Sequence, residues 1–353
     1  MTTHTASTQT GRNSDATVSG IQHVGHVVRD IAAAIALYRR MGFVVPPPSF
    51  PALARRPGGP LRAFGAGNTH INFRRTFVEL VTVADDREGA GTDATLIPLQ
   101  APAEVLDRLT DSIAETANRI SKALARFEGL HILVFGTANV DATIARLAAQ
   151  GVARGAVNRL RQPVTKGGVT KQISIGYVEI DSDPGLSPEG RLALAEDGPT
   201  DAPPLMGKQP SMGNQDHPNG AIELVESVLC VPDGQVADYE QRYARYVQRP
   251  AHSDGPLRIF DLGEARVMIV PGSALGSVLP GEVPPDLPSF VGYGVAVRDL
   301  SIAREILERA DLPVRRSPSG AIWRSGTRTS EPMMCRTGCG HSPLSATAGC
   351  WST

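Results

Sequence analysis

The chain has 353 residues, 41% of them hydrophobic, with 35 Lys+Arg against 36 Asp+Glu and a formal net charge of −1. That length allows two ordinary domains, and the charge balance gives no bias toward nucleic acid or an anionic membrane surface. No window approaches the roughly eighteen apolar residues of a spanning helix, which argues against a membrane role.

Residues 1–19 are rich in Thr and Ser and lack an apolar signal region, so they read as a disordered leader and the protein as cytoplasmic. A first unit then opens with an apolar strand over Ile21–Val28 and a helix over Asp30–Met41, whose Ile31, Ala34, Ile35, Leu37 and Tyr38 fall at helical spacing. Gly42 stops that helix. A short strand Phe43–Val45, a Pro-rich loop 46–60, and strands Thr69–Phe73 and Phe77–Val83 complete a βαβββ unit. Residues 102–127 form an amphipathic connecting helix, with Val105, Leu109, Ile113, Ile120 and Leu124 mostly three and four residues apart.

A second unit repeats the first, with a strand Leu130–Phe135, a helix Val140–Gln150 ended by Gly151, and strands Gln172–Ile180 and Arg191–Ala195. The Pro/Gly-rich stretch 197–220 is the linker, separating an N-terminal domain 20–196 from a C-terminal domain 221–323. The C-terminal domain begins with a third unit, strand Leu224–Val231, helix Gly234–Val247 and strands Leu257–Leu262 and Ala265–Val270. Aligning Asp233 with Asp30 sets Glu226 where the first unit has His23. A fourth copy starts with Gly292–Val297 and Leu300–Arg309. From Arg324 the alternation stops, so 324–353 reads as an irregular tail and the last copy as incomplete, the mark of a frameshifted or degenerate terminus. Resequencing the coding DNA tests that. Cys230 reads as a cytosolic thiol, and Cys335, Cys339, His341 and Cys350 match no common zinc spacing.

The fold class is therefore α+β, built from repeated βαβββ modules, and repetition of this kind places function between copies. In order and spacing, Ile21-Gln22-His23 with Arg29-Asp30, Gly42-Phe43, Gly65-Ala66-Gly67-Asn68, Phe77-Val78-Glu79-Leu80, Gly129-Leu130-His131 and His217-Pro218-Asn219-Gly220 resemble the vicinal oxygen chelate superfamily and its glyoxalase-like proteins. The resemblance covers Gly20 to about Trp323. It implies modules paired into curved mixed sheets whose concave face holds a divalent metal in the active members.

On that resemblance His23, Glu79 and His131 are the metal ligands, a 2-His-1-carboxylate set that leaves positions open for substrate oxygens. Each histidine reads equally as a packed strand residue. A second carboxylate comes from Glu196 or Glu179. Glu196 is preferred because its strand aligns with Phe77–Leu80. Four ligands resemble the lyase and isomerase branch, with Zn(II) or Ni(II). Three resemble the ring-cleaving dioxygenases, with Fe(II) or Mn(II), although those carry their metal in the second pair of units. His70 is a candidate general base, since imidazole titrates near neutral pH. Alternation sends His26 to the opposite face, against the helix. His217 reads as a turn residue, and Tyr177 and Arg75 receive no role. The competing expectation is a metal-free protein that sequesters a small molecule, as in the bleomycin-resistance branch. The implied partner is a small-molecule substrate, with a homodimer as the way to cover an open sheet edge.

Overall fold

A computed structural model describes residues 17–54, 56, 58–84, 93–166, 169–181, 187–197, 216–284, 286–316, 322–324 and 333–337. The leader up to residue 16, most of the linker (198–215), and Cys339, His341 and Cys350 lie outside them. The N-terminal half runs β1 (Val18–Val27), α1 (Ile31–Arg40), β2 (Ser49–Ala54), β3 (Leu61–Ala63), β4 (Ala66–Asn72), β5 (Phe77–Val83), β6 (Thr95–Pro98), α2 (Ala103–Arg126), β7 (Gly129–Thr137), α3 (Val140–Ala149), β8 (Asn158–Lys166), β9 (Val169–Ile180) and β10 (Arg191–Glu196). The C-terminal half runs β11 (Ala221–Val231), α4 (Val236–Val247), β12 (His252–Asp254), β13 (Leu257–Asp261), β14 (Arg266–Pro271), α5 (Leu275–Val278), β15 (Ser289–Val297), α6 (Leu300–Arg309), β16 (Val314–Arg316), β17 (Ile322–Arg324) and β18 (Met333–Thr337).

Each half is a curved mixed sheet. The first orders its strands β3-β2-β4-β5-β1-β7-β10-β9-β8, with β6 on β2, and the second β12-β13-β14-β11-β15-β18-β17-β16. The repeat is visible in the pairing. β1 lies parallel to β5 and antiparallel to β7, which in turn lies parallel to β10; β11, β14, β15 and β18 repeat the arrangement. Equivalent helices begin at equivalent caps: Asp30 accepts from the Ala33 amide, Asn139 from the Ala142 amide and Asp299 from the Ser301 amide. Gly42 follows α1 at φ +83°, where a side chain would be strained and would also meet Asn219.

The largest apolar cluster draws Tyr38 of α1, Leu147 of α3, Tyr243 of α4 and Leu307 of α6 together with both sheets. Within it Tyr293 donates to the Tyr38 hydroxyl at 3.0 Å, and that hydroxyl bonds His26 Nδ1 at 3.1 Å. His26 thus packs against its helix, as alternation predicts. The opposite face of each sheet is filled separately. On the first, α2 lays Ile120 and Leu124 onto Val27, Val81, Ile132, Val134, Ala193 and Ala195, at roughly 1.5–3 kcal/mol per fully buried side chain. On the second, the segment around α5 packs Leu275, Val278 and Leu279 onto Val228, Cys230, Met268 and Val270.

Three expectations are corrected. Phe43–Val45 is not a strand, because Phe43 turns back to the Tyr38 carbonyl and the Val44 amide is bound by His217 Nδ1 at 3.0 Å. The Pro-rich loop contains β2, held by β3, β4 and β6. The fourth copy closes further than its composition suggests: β18 pairs with β15 from Tyr293↔Met333 to Val297↔Thr337 and with β17 on its other side. A ladder on both edges fixes a strand whose own sequence does not alternate.

Candidate functional site

Between α2 and the first sheet lies a cavity of about 810 Å³, within the range of small-molecule sites. The first unit contributes His23, Asn68, His70, Phe77 and Glu79, and α2 contributes Ser112, Glu115, Thr116 and Arg119. From the second unit come Ile132, Arg154, Asn158, Tyr177, Glu179 and Arg191.

Strand alternation aims the first group inward. The parallel β1–β5 register sets His23 beside Phe77 and Gly25 beside Glu79, and the antiparallel β4–β5 register sets His70 opposite Glu79. His23 stacks on Phe77 with ring centroids 4.2 Å apart, and His70 meets the same ring edge-on at 5.0 Å. Phe77 is therefore in contact with both imidazoles. His23 Nδ1 lies 2.9 Å from Gln22 Oε1. That oxygen only accepts, so Nδ1 carries the proton and Nε2 is left as the acceptor. Burial above all, with His70 and Arg191 adding to it against the pull of Glu79, lowers the His23 pKa to about 3. The imidazole is neutral throughout the physiological range.

Burial pushes the Glu79 carboxyl up, but His70, His23, the Asn68 hydrogen bond and Arg191 together outweigh it and hold the group below the ordinary carboxylate range. Asn68 Nδ2 donates to Glu79 Oε1 at 2.7 Å, and His70 Nε2 is 3.9 Å from the same oxygen. Across the cavity, Glu179 receives Arg119 Nη1 at 2.8 Å and Arg191 Nε at 3.0 Å, while Arg119 Nη2 reaches Glu115 at 2.6 Å. Burial is the main reason the Tyr177 hydroxyl is pushed up to about 12, so it acts as a neutral donor.

Two residues expected in the site are elsewhere. His131 is displaced by one register step. Matching the caps Asp30 and Asn139 matches His23 with Ile132 and Gln22 with His131, and the pairings His23↔Phe77 and Ile132↔Arg191 agree. The β1–β7 pairing steps from Ile132 to Leu130 through a bulge, so His131 stays on the α2 side of the sheet but turns toward the end of that helix. The His131 ring stacks on Phe127 at 4.1 Å and donates from Nε2 to the Phe127 carbonyl at 3.0 Å, beside an adjoining cavity of about 370 Å³ that shares Arg119, Ile132 and Arg191 with the first. Glu196 caps local backbone. It accepts from the Gly176 amide at 2.6 Å and the Val140 amide at 3.2 Å and lies 3.7 Å from Arg159. Its strand is the counterpart of β5, but the residue equivalent to Glu79 is Ala193, since Gly25 pairs with Glu79 and Val134 with Ala193. The second-unit carboxylate that does face the cavity is Glu179.

His23, His70 and Glu79 are thus brought together, and His131 and Glu196 are not. Sequence reasoning missed Asn68, Arg119, Arg154 and Arg191 and gave Tyr177 no role. His217 bridges the Val44 amide and the Asn72 carbonyl, both at 3.0 Å, and is structural. Arg75 binds Glu223 and Glu264 away from the cavity.

The sequence matches the family model described as "Glyoxalase-like domain" over residues 21–247. The chain belongs to the glyoxalase-like domain family. It is thereby a member of the vicinal oxygen chelate superfamily, and its α+β fold of paired modules is that of the family. The structure is similar to a triple mutant of 4-hydroxymandelate synthase from Streptomyces coelicolor, with a TM-score of 0.51 and 13% identity, covering 92% of this chain and 95% of that one. It is also similar to a hypothetical protein from Staphylococcus aureus, with a TM-score of 0.50 and 8% identity over 90% of this chain and 99% of that one. At these identities the likeness is one of fold. No curated protein sequence matches the chain.

The metal set implied by the family resemblance draws its donors from both units of the first sheet. Here Ile132 and Ala193 occupy the second-unit counterparts of His23 and Glu79, and a Cβ at Gly25 would collide with the Ile132 side chain at 2.7 Å, so that side chain fills the site's centre. Among the described residues no three of His, Cys, Asp and Glu are grouped to hold a metal ion. The other facing carboxylate, Glu179, is already engaged by two guanidinium groups. This donor set does not fit a divalent metal. The second sheet offers no substitute. Its counterpart of His23 is Glu226, ion-paired with Arg266, and the counterpart of Glu79 is Met268 within an apolar cluster. No helix among the described residues is long and apolar enough to cross a membrane.

Proposed function

We propose that this glyoxalase-like protein binds a small polar organic molecule directly, without a metal, in the cavity beneath α2. The observation that carries the reading is the pair Ile132 and Ala193 at the two positions where the second unit would have to supply ligands. The cavity survives the loss of those donors, at about 810 Å³ and lined by charged and hydrogen-bonding groups. His23 supports binding over proton transfer: an imidazole whose pKa is near 3 takes up a proton poorly at neutral pH and serves as a fixed acceptor. A metal-dependent dioxygenase or lyase would need donors grouped around one point, and among the described residues His23, His70, Glu79 and Glu179 are not so grouped.

The test is a thermal-shift screen of a small-molecule library, run with EDTA and separately with Fe(II), Mn(II), Zn(II) or Ni(II). A ligand that binds only the native state raises the melting temperature. Stabilisation equal with and without chelator, and lost in His23→Ala, is expected. Stabilisation that appears only with an added metal overturns the reading.

A further inference from the structure

The cavity is electrically two-sided. On the first-unit wall the charged group is Glu79, held ionised by Asn68 and His70, and beside it His23 offers only an acceptor. On the second-unit wall Arg154 and Arg191 outnumber Glu179, leaving one net positive charge. The α2 roof is neutral overall, because Glu115 and Arg119 pair with each other at 2.6 Å. Arg154 spends one nitrogen on the Gly155 carbonyl at 3.0 Å and has no carboxylate partner among the described residues, and Arg191 uses its Nε on Glu179.

A ligand that satisfies both walls presents donors at one end and an anion at the other. From this polarity, and resting on the direct-binding reading above, we infer that the cavity takes a zwitterion of the α-amino-acid type. Its ammonium group sits at Glu79 and His23, and its carboxylate at Arg191 and Arg154. A guanidinium matches a carboxylate in a planar, two-pronged way, and an ammonium donates to a carboxylate and an imidazole lone pair together. A simple anion would leave the part-buried Glu79 without a positive partner from the ligand, and a simple cation would leave the arginine wall without a negative one. Each carries the cost of an unpaired charge. The Phe77 ring between the two histidines adds an apolar face for the side chain.

The test is isothermal titration of the full chain, in EDTA, with matched triads. Each triad holds an α-amino acid, the amine left by its decarboxylation, and the acid left when hydrogen replaces its amino group, across aromatic, aliphatic and polar side chains. The zwitterion of the best triad should bind at least tenfold tighter than either relative. Glu79→Gln should weaken the two amine-bearing members about tenfold and spare the acid, and Arg191→Gln should weaken the two carboxylate-bearing members about tenfold and spare the amine. The ranking in the parent protein does not depend on any variant folding. Equal binding within triads, or a preference for a singly charged member, overturns the inference. So does a screen in which uncharged compounds bind and no triad member does, although direct binding then survives. If no compound of any class binds without a metal, both readings fall.

Discussion

His23 on β1 and Ile132 on β7 occupy equivalent places in two copies of one module: each lies the same distance before its helix cap, and each pairs with the closing strand of its unit, at Phe77 and Arg191 respectively. One copy keeps an imidazole there and the other an aliphatic side chain. This asymmetry turns the centre of the sheet from a place for a metal into a wall of an organic-ligand cavity.

Restoring the missing donors should therefore restore a metal site. The double variant Ile132→His with Ala193→Glu places donors at both second-unit positions. It should bind close to one Co(II) per chain, read from the visible absorption of the ion, while the parent shows no such band. A double variant that folds normally and takes up no metal would contradict the equivalence drawn between the two units.

His131→Ala separates structure from binding. The substitution removes a stacked ring and a hydrogen bond at the junction of α2 and β7, which should cost about 2–3 kcal/mol. Urea denaturation measures that loss. Affinity for the cavity ligand should change by less than about twofold, because the side chain lines the adjoining cavity and not this one.

Acid should destabilise the protein well above the carboxylate range. Burial is the main cause of the lowered pKa of His131, from 6.5 to about 4, and of His23, from 6.5 to about 3. Both are lower in the folded than in the unfolded chain, so the unfolded state binds the extra protons. The stability these neutral rings carry is complete above pH 6.5 and is lost as the pH falls toward 4 and then 3. For His131 the full loss is roughly 3 kcal/mol. Melting temperature should be flat from pH 7 to about 8 and fall steadily between pH 6.5 and 4, and His131→Ala should flatten the upper part of that slope.

The two halves are tied by a buried ion pair with its own prediction. Glu189, fully buried, receives Arg242 and, at 3.0 Å, the Tyr243 hydroxyl of α4, and Arg242 lies 4.4 Å over the Tyr239 ring. Glu189→Gln removes the nearer carboxylate from a largely buried guanidinium and leaves it only Asp181 at 3.9 Å, which should cost about 3 kcal/mol. Arg242→Met in the same background should recover part of that loss. Denaturation curves of the single and double variants decide it.

Helices and central strands were legible in the sequence because their apolar spacing and caps are strong. Asp30, Asn139 and Asp299 mark helix starts that the structure keeps, and α2 falls within a residue of its expected ends. Edge strands such as β3, β8 and β12 were not legible, since their partners, not their own patterns, hold them. The site was half legible. His23, His70 and Glu79 follow from alternation within one unit. His131 was matched to His23 on residue type, yet the two caps are one residue further apart than the two histidines. Counting back from the caps would have matched His131 with Gln22. The arginines of the second wall and of the α2 roof carry no local signature, because Arg119 on α2, Arg154 in the α3–β8 connection and Arg191 on β10 are brought together only by the closed sheet and α2.

The most direct test of the account is the metal content of the full chain, purified without chelator or affinity nickel and then incubated anaerobically with Fe(II), Mn(II), Zn(II) and Ni(II) before desalting. Metal far below one equivalent for every ion, in protein that still binds its small-molecule ligand, is the predicted result. Near-stoichiometric metal that disappears in both His23→Ala and Glu79→Gln would contradict it and return the cavity to the metal-dependent branch of its family.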